Sequence, residues 1–339
     1  MQDSAPAPSI NPSDPSSDRS AEATIDCWNH PSVILVATDL SDLHRLVPYA
    51  FEQAVQTGAH LLLLHVVSGA SAVATDPVGM PYYDPSGALD FAAKELEPWC
   101  AMAHQQNIAC DALVREGNPA QQIGAAARQF KAGRVLLGTR SRSRLGKLLL
   151  GSVAEQVLRS VNLPVITVGP EAHLPVGRGN EERTVLHATT LREASRPSAA
   201  LACQMAASQG AKLVLLHVLP PTEDFASQKS GSSGQPAGLD TAALHELQIL
   251  AAEIGAAGNT IVESRVVHGN PSIEILAEAA ERNASLIVLG VRHRSVFEDL
   301  TRDRTVYRVL AHARCPVLTL REPQTALAPA HTKQMASHL

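Results

Sequence analysis

The chain has 339 residues, enough for two or three domains with cores of their own. Hydrophobic residues make up 45% and charged residues 18%, as in a globular protein, and the net charge of −5 gives no overall pull toward nucleic acid or anionic membranes. Aromatics, at 3%, are too sparse for base-stacking platforms on single-stranded nucleic acid.

Residues 1–30 are rich in Ser, Pro, Ala and Asp and lack the apolar core of a signal peptide, so they read as a disordered tail, as do residues 322–339. No apolar run approaches the roughly 18 residues of a membrane span, and a cytoplasmic location is expected. The five cysteines (Cys27, Cys100, Cys110, Cys203 and Cys315) form no C-x-x-C pair and are expected as free thiols in a reducing compartment. The histidines show no H-x-x-x-H or H-E-x-x-H spacing, so no metal site is expected.

The first predicted strand is Val33–Ala37, ended by Thr38-Asp39-Leu-Ser41-Asp42. A helix from Leu43 to about Gln56 follows, with Pro48 inside its pattern and Gly58 at its close. His60–Val67 is a second buried strand. Residues 68–87, rich in Pro and Gly, read as a loop. A helix from about Ala88 to Gln106 leads to a strand near Cys110–Val114. After Gly117-Asn118-Pro119, Pro119 suits the first turn of a helix over Ala120–Phe130. A strand Val135–Leu137, a helix ending at Ser160 and a strand Pro164–Val168 complete the unit. Strands in apolar blocks alternating with helices predict a parallel sheet covered on both faces, with right-handed crossovers.

Residues 170–182 read as a linker, and then the pattern restarts. Thr184–Thr190 repeats the first strand at an offset of 151, and Leu213-Val-Leu-Leu-His217-Val218 repeats Leu61-Leu-Leu-Leu-His65-Val66 at 152. Gly269-Asn270-Pro271 repeats Gly117-Asn118-Pro119, Gly290 repeats Gly138, and Cys315-Pro316-Val317 repeats Leu163-Pro164-Val165, all at 152. So constant an offset predicts a duplicated domain, with boundaries near 31–169 and 183–321.

One stretch stands out chemically. Gly138-Thr-Arg-Ser141-Arg-Ser-Arg-Leu-Gly146-Lys-Leu-Leu-Leu-Gly151-Ser152-Val153 leaves a strand and opens a helix, with four cations (Arg140, Arg142, Arg144, Lys147) and no carboxylate before Ser152. Small residues let backbone N–H groups approach an anion, and a helix N-terminus adds donors and a positive dipole end. A phosphate cradle and a solvated basic loop are both open on this stretch alone. A Walker loop is excluded: seven residues, not four, separate Gly138 from Gly146, and Leu148 follows the lysine. No G-x-S-x-G elbow supports a serine hydrolase. One basic loop in an acidic, aromatic-poor chain argues against nucleic acid as a partner.

Taken together, the Val-Ile-Leu-Val-Ala-Thr38-Asp39-Leu-Ser41 strand end, the Leu-Leu-His65-Val66 strand and a loop close to G-x2-G-x9-G-[S/T] resemble the universal stress protein family, as a tandem of two domains. The resemblance implies open parallel five-stranded sheets of order 3-2-1-4-5 with helices on both faces, packed as an internal pseudo-dimer through their last strands. It leaves room for a homodimer. In the family's nucleotide-binding branch the ligand is ATP, with Mg2+ as its companion. Carried over, Asp39 falls at the ribose, with Ala37 and Thr38 before it in the nucleotide site, Val66 at the adenine edge, and Gly138, Gly151 and Ser152 at the ribose-phosphate loop, with Ser141 inside that loop and Val153 opening the helix. Ser141 departs from the family's second glycine, where it serves if the position needs only a backbone N–H and little bulk.

The second half departs further. Thr190 replaces Asp39, and of the loop only Gly290 survives, with His293, Asp303 and Arg304 in the other motif positions. Glu298, Asp299 and Asp303 put carboxylates where the first half has none, which repels an anionic ligand. The expectation is ATP in the first domain only, in a stress-response or signalling role. A ligand-free interaction scaffold is the alternative, and a weak ATPase the most that catalysis would reach. His65 and His217 are expected as satisfied strand histidines, and Asp42 as a helix-capping acid.

Overall fold

Twelve strands and eight α-helices occupy the described parts of the chain, which in this computed structural model are residues 27–28, 30–69, 73–75, 78–139, 150–173, 183–221, 238–291 and 304–322. In the first half these are β1 (Val33–Thr38), α1 (Leu43–Thr57), β2 (His60–Val67), β3 (Val73–Thr75), β4 (Pro81–Tyr83), α2 (Pro85–Gln105), β5 (Cys110–Glu116), α3 (Pro119–Gln129), β6 (Arg134–Gly138), α4 (Ser152–Ser160) and β7 (Val165–Val168). The second half holds β8 (Thr184–Ala188), α5 (Arg196–Ser208), β9 (Lys212–Leu219), α6 (Gly238–Gly258), β10 (Val262–His268), α7 (Pro271–Glu281), β11 (Leu286–Val291), α8 (Arg304–His312) and β12 (Val317–Arg321).

Ten of the strands form one sheet, in the order β10-β9-β8-β11-β12-β7-β6-β1-β2-β5. Each half is parallel and has the expected 3-2-1-4-5 order. The two sheets are joined, not merely packed: β7 and β12 pair antiparallel, with Ile166 opposite Leu318. Two threonines cross-brace this seam, Thr167 Oγ1 donating to the Val317 carbonyl at 3.2 Å and Thr319 Oγ1 to the Val165 carbonyl at 3.3 Å. Each half thereby covers the other's last strand edge, which would otherwise present unpaired N–H and C=O groups.

Successive strand residues point to opposite faces, and the core divides accordingly. Ile34 and Val36 pack with α1, α2, α5 and α6, while Leu35 and Ala37 pack with α3, α4, α7 and α8. Both layers run without a break across the β7–β12 seam. Further contacts fix the halves: Arg321 donates to the Leu158 carbonyl and to Asn162, the His173 amide to the Arg314 carbonyl, and Arg183 pairs with Glu52.

The duplication is written in the backbone. Leu40 and Leu191, Gly58 and Gly210, Asn107 and Asn259, Gly117 and Gly269, and Lys131 and Asn283 all have positive φ, and each pair is one repeat apart. Gly117 and Gly269, at φ 128° and 150°, precede the Asn-Pro that starts α3 and α7, a conformation an L side chain rarely adopts. Asn118 and Asn270 cap those helices, accepting from the Gln121 and Ser272 amides.

Three expectations are revised. The stretch 68–87 contains a small antiparallel hairpin, β3 with β4, hidden by its prolines and glycines. Helix α2 starts at Pro85, not Ala88, because Asp84 caps it by accepting from the Gly87 amide and Pro85 takes the first position. At the other end of the sheet, Arg134 is fully buried and donates to Gln53 Oε1 at 2.6 Å and to the Trp28 carbonyl at 2.9 Å, so Trp28, assigned above to the tail, packs onto the fold. Residues 1–26, 174–182 and 323–339, which carry the rest of the predicted tails and linker, lie outside the described residues.

Candidate functional site

The parallel strands of the first half end together, and the chain leaves β1 toward β2 on one side while β6 lies on the other. The crevice between β1 and β6 is therefore a topological switch point, where open α/β sheets place their ligands. Thr38 ends β1. Its buried hydroxyl donates to Asp42 Oδ1 at 2.6 Å and accepts from the Leu40 amide at 2.9 Å, while its carbonyl lies 2.9 Å from His65 Nδ1. A carbonyl only accepts, so His65 Nδ1 carries the proton. This is the satisfied strand histidine the sequence suggested, and His217 repeats it on the Thr189 carbonyl at 2.9 Å.

Leu40 at φ 70° bends the chain sharply and leaves Asp39 exposed. Asp39 Oδ1 accepts from both the Ser41 amide, at 2.9 Å, and the Ser41 hydroxyl, at 2.6 Å. The carboxylate is thus fixed by one oxygen, and among the described residues nothing bonds the other. Three residues on, Asp42 behaves differently from expectation. It holds the N-cap position of α1 but makes no side-chain capping bond; its carbonyl accepts from the Arg45 and Leu46 amides while its carboxylate turns inward to Thr38. Burial pushes its carboxyl above the ordinary value, the Thr38 donation opposes this and the nearby Asp39 adds to it.

Asp42 also accounts for Gly138. A Cβ on Gly138 would lie 2.1 Å from Asp42 Oδ2. A side chain at Gly138 would therefore have to displace the Asp42 carboxylate from its place against Thr38. Beyond it the chain is tied back twice: the Thr139 amide donates to the Val168 carbonyl at 3.2 Å, and the Gly151 amide to the Thr139 carbonyl at 3.1 Å. These bonds hold the start of α4 at the end of β6. Gly151 is the N-cap and has no side chain to fill that role, so the first amides of α4, at Ser152 and Val153, open the helix without a side-chain cap. Ser152 is exposed. The Leu150 amide, 3.3 Å from Tyr307 Oη of the second half, anchors the loop's other end.

Ala37 and Val66 are buried in the same core layer, and Val66 sits near the end of β2, between β1 and β5. The structure thus brings Ala37, Thr38, Asp39, Val66, Gly138, Gly151, Ser152 and Val153 to one end of the first half's strands. Ser141 and the cations Arg140, Arg142, Arg144 and Lys147 lie outside the described residues. Sequence reasoning missed Thr139, whose carbonyl places Gly151, and misassigned Asp42. The Thr-x-x-x-Asp spacing from Thr38 to Asp42 was the available signal. Among the described residues no group of three His, Cys, Asp or Glu is arranged for a metal.

The second half repeats the frame with other chemistry. The Leu191 amide donates to Thr189 Oγ1 at 3.1 Å, as Leu40 does to Thr38. Thr190, at the place of Asp39, is 3.1 Å from Ser195 Oγ, in a short 3-10 turn over Glu193–Ser195 that the first half does not have. Gly290 is again crowded by a carboxylate, but from Glu322: a Cβ there would lie 2.2 Å from Glu322 Oε1 and 2.8 Å from Ser198 Oγ. His293, Glu298, Asp299 and Asp303 lie outside the described residues, and Arg304 begins α8.

A sequence model of the universal stress protein family matches residues 32–169 and again residues 182–321. A universal stress protein of Thermus aquaticus, named for its place in the QAH/OAS sulfhydrylase 3′ region, is 33% identical over 136 residues, which is 40% of this chain and 96% of that protein. The crystal structure of a universal stress protein from Archaeoglobus fulgidus covers 87% of this chain and 97% of its own, with a TM-score of 0.62 and 22% identity. A universal stress protein solved in complex with cAMP covers 42% of this chain, at 23% identity and a TM-score of 0.34. With two matches that span most of its length, a shared strand order and the same backbone turns in both halves, the chain belongs to the universal stress protein family as a tandem of two domains.

Proposed function

We propose that the protein binds an adenine nucleotide, ATP foremost, in its first domain (residues 31–169), and that occupancy serves stress signalling in the cytoplasm rather than catalysis. The observation that carries this is the pairing, at one switch point, of an exposed and fixed carboxylate, Asp39, with an uncapped helix start at Gly151-Ser152. The two ends suit opposite parts of one ligand. Asp39 Oδ2 would accept from ribose hydroxyls, and the Ser152 and Val153 amides with the Ser152 hydroxyl would donate to phosphate. The Val66 backbone lines the adenine side, and Ala37 and Thr38 form the floor. Ser141 and the four loop cations would add donors and positive charge to a phosphate. Mg2+ would accompany the nucleotide, held by its phosphate oxygens and by water.

A nucleotide supplies a hydrolysable anhydride, but the crevice gives that chemistry little help. Asp42 is turned inward onto Thr38, and His65 Nδ1 is committed to the Thr38 carbonyl. Asp42 is thereby buried away from water, and the Nδ1–H donation leaves only Nε2 of His65 as a base, so at most a weak ATPase is expected. The second domain (183–321), with Thr190 for Asp39, is proposed as a partner that binds no nucleotide. Thermal unfolding of nucleotide-stripped protein tests the reading: ATP at millimolar concentration is expected to raise the midpoint, since a ligand that binds only the folded state stabilises it. An unchanged midpoint, with no binding heat, would refute it.

A further inference from the structure

Helix α2 turns into strand β5 through a closely bonded corner. The Gln106 and Ile108 amides both donate to the Ala103 carbonyl, at 2.9 and 3.0 Å, and the Asn107 amide to the His104 carbonyl at 3.0 Å. His104 Nε2 reaches the Cys110 carbonyl at 3.0 Å. This corner places Cys100, near the end of the helix, against Cys110, the first residue of the strand, with the two sulfurs 3.3 Å apart. A disulfide needs about 2.05 Å, so closing one asks for a shift of a little over 1 Å in side chains already facing each other. Cys110 is buried, whereas Cys100 is half-buried and open to a small oxidant. Strand β5 is an outer edge of the ten-stranded sheet, where such a shift meets no further strand.

The other cysteines are placed differently. Cys203 donates to the Ile254 carbonyl at 3.2 Å, Cys315 is buried, and Cys27 is exposed. One repeat along, Cys100 and Cys110 correspond to Ala252 and Val262. The second domain therefore keeps the corner, including the positive φ of Asn107 at Asn259, but not the thiols.

We propose that Cys100 and Cys110 are a peroxide-responsive thiol pair that closes reversibly into a disulfide, pinning α2 to the edge strand. The Cys100 thiolate attacks one oxygen of a hydroperoxide; the O–O bond breaks, the departing oxygen takes up a proton and leaves as water or alcohol, and Cys100 becomes a sulfenic acid. The Cys110 sulfur then gives up its proton and attacks the Cys100 sulfur. The S–OH bond breaks, water leaves and the S–S bond forms. Two electrons pass from the thiols to the peroxide, and thiol–disulfide exchange with an external dithiol returns them. The order follows from the hydrogen bond: Cys110 S–H donates to Cys100, which draws the Cys100 thiol below its ordinary value against the opposing effect of burial and pushes Cys110 up.

The test is brief hydrogen peroxide treatment of the reduced full-length protein, followed by alkylation and peptide mapping. Two of the five thiols are expected to disappear. They should be recovered as one Cys100–Cys110 linked peptide, at least about tenfold faster than the isolated exposed Cys27 is modified, and dithiothreitol should restore them. In Cys110→Ser, Cys100 should stop at a sulfenic acid that a cyclic 1,3-dione captures; in Cys100→Ser, Cys110 should stay reduced. Five alkylatable thiols after treatment, a linkage through Cys27, or loss of Cys27 as fast as the pair would each overturn the proposal. Because the readout is sulfur chemistry alone, it is independent of nucleotide binding.

Discussion

At the end of β1 the chain reads Thr38-Asp39-Leu40, and at the end of β8 it reads Thr189-Thr190-Leu191. Both threonine hydroxyls accept the leucine amide, both leucines take positive φ, and both threonine carbonyls hold a histidine Nδ1. Between them sits the one residue that differs in kind. The comparison separates two sorts of motif residue. Those that recur in both halves build the turn, and Gly138 with Gly290 belongs to them, each crowded by a carboxylate, from Asp42 in one case and Glu322 in the other. Those confined to the first half, Asp39 and Gly151-Ser152, are the ones the fold does not need, and so the ones a ligand would explain.

Substitutions that exchange residues between the halves test this difference. His187 sits where the first half has Val36, fully buried, with Nδ1 on the Val288 carbonyl at 3.0 Å and burial driving its ring down to about 4. The unfolded ring takes its proton below about 6.5, so between these values the unfolded state binds more protons and stability falls as pH falls. About 3 kcal/mol should be lost over that window. His187→Val should remove this acid limb in urea unfolding followed against pH; an unchanged limb would assign it to carboxylates elsewhere.

Gly138→Ala and Gly290→Ala should each cost about 1–3 kcal/mol of stability, since either Cβ meets a carboxylate. Only Gly138→Ala should also weaken ATP binding, because it displaces the turn that carries Asp39. Equal ATP affinity in both variants would detach the site from that turn. Gly151→Asp, which copies Asp303, should leave the fold intact, since Gly151 has ordinary dihedrals and Asp suits an N-cap. Its charge beside the phosphates should weaken ATP by about 2 kcal/mol, or roughly thirtyfold. Asp39→Thr, which copies Thr190, should weaken ATP about tenfold with no change in melting temperature. Full affinity in either variant, read by competition with a fluorescent nucleotide, would move the site.

Much of this was legible in the chain. The strand order follows from apolar blocks alternating with helices, and the duplication from an offset that the positive-φ pairs then match residue for residue. The junction was less so: β7 and β12 read as ordinary apolar strands, and nothing in Val165–Val168 shows that Thr167 and Thr319 reach across an antiparallel seam to the Val317 and Val165 carbonyls. The hairpin β3–β4 was masked by its turn residues. At the site, Asp39 and Gly151 were singled out through the family resemblance, but the direction of Asp42 was not legible, because an aspartate before a helix caps in sequence terms while here a threonine hydroxyl four residues back competes for it. Glu322 lies 32 positions after Gly290, and no local pattern connects the two.

One half of the chain is expected to bind nucleotide and the other not. Calorimetric titration of nucleotide-stripped full-length protein with ATP tests it most directly through the number of sites. One ATP per chain is expected; two equivalent sites, or none, would refute the asymmetry.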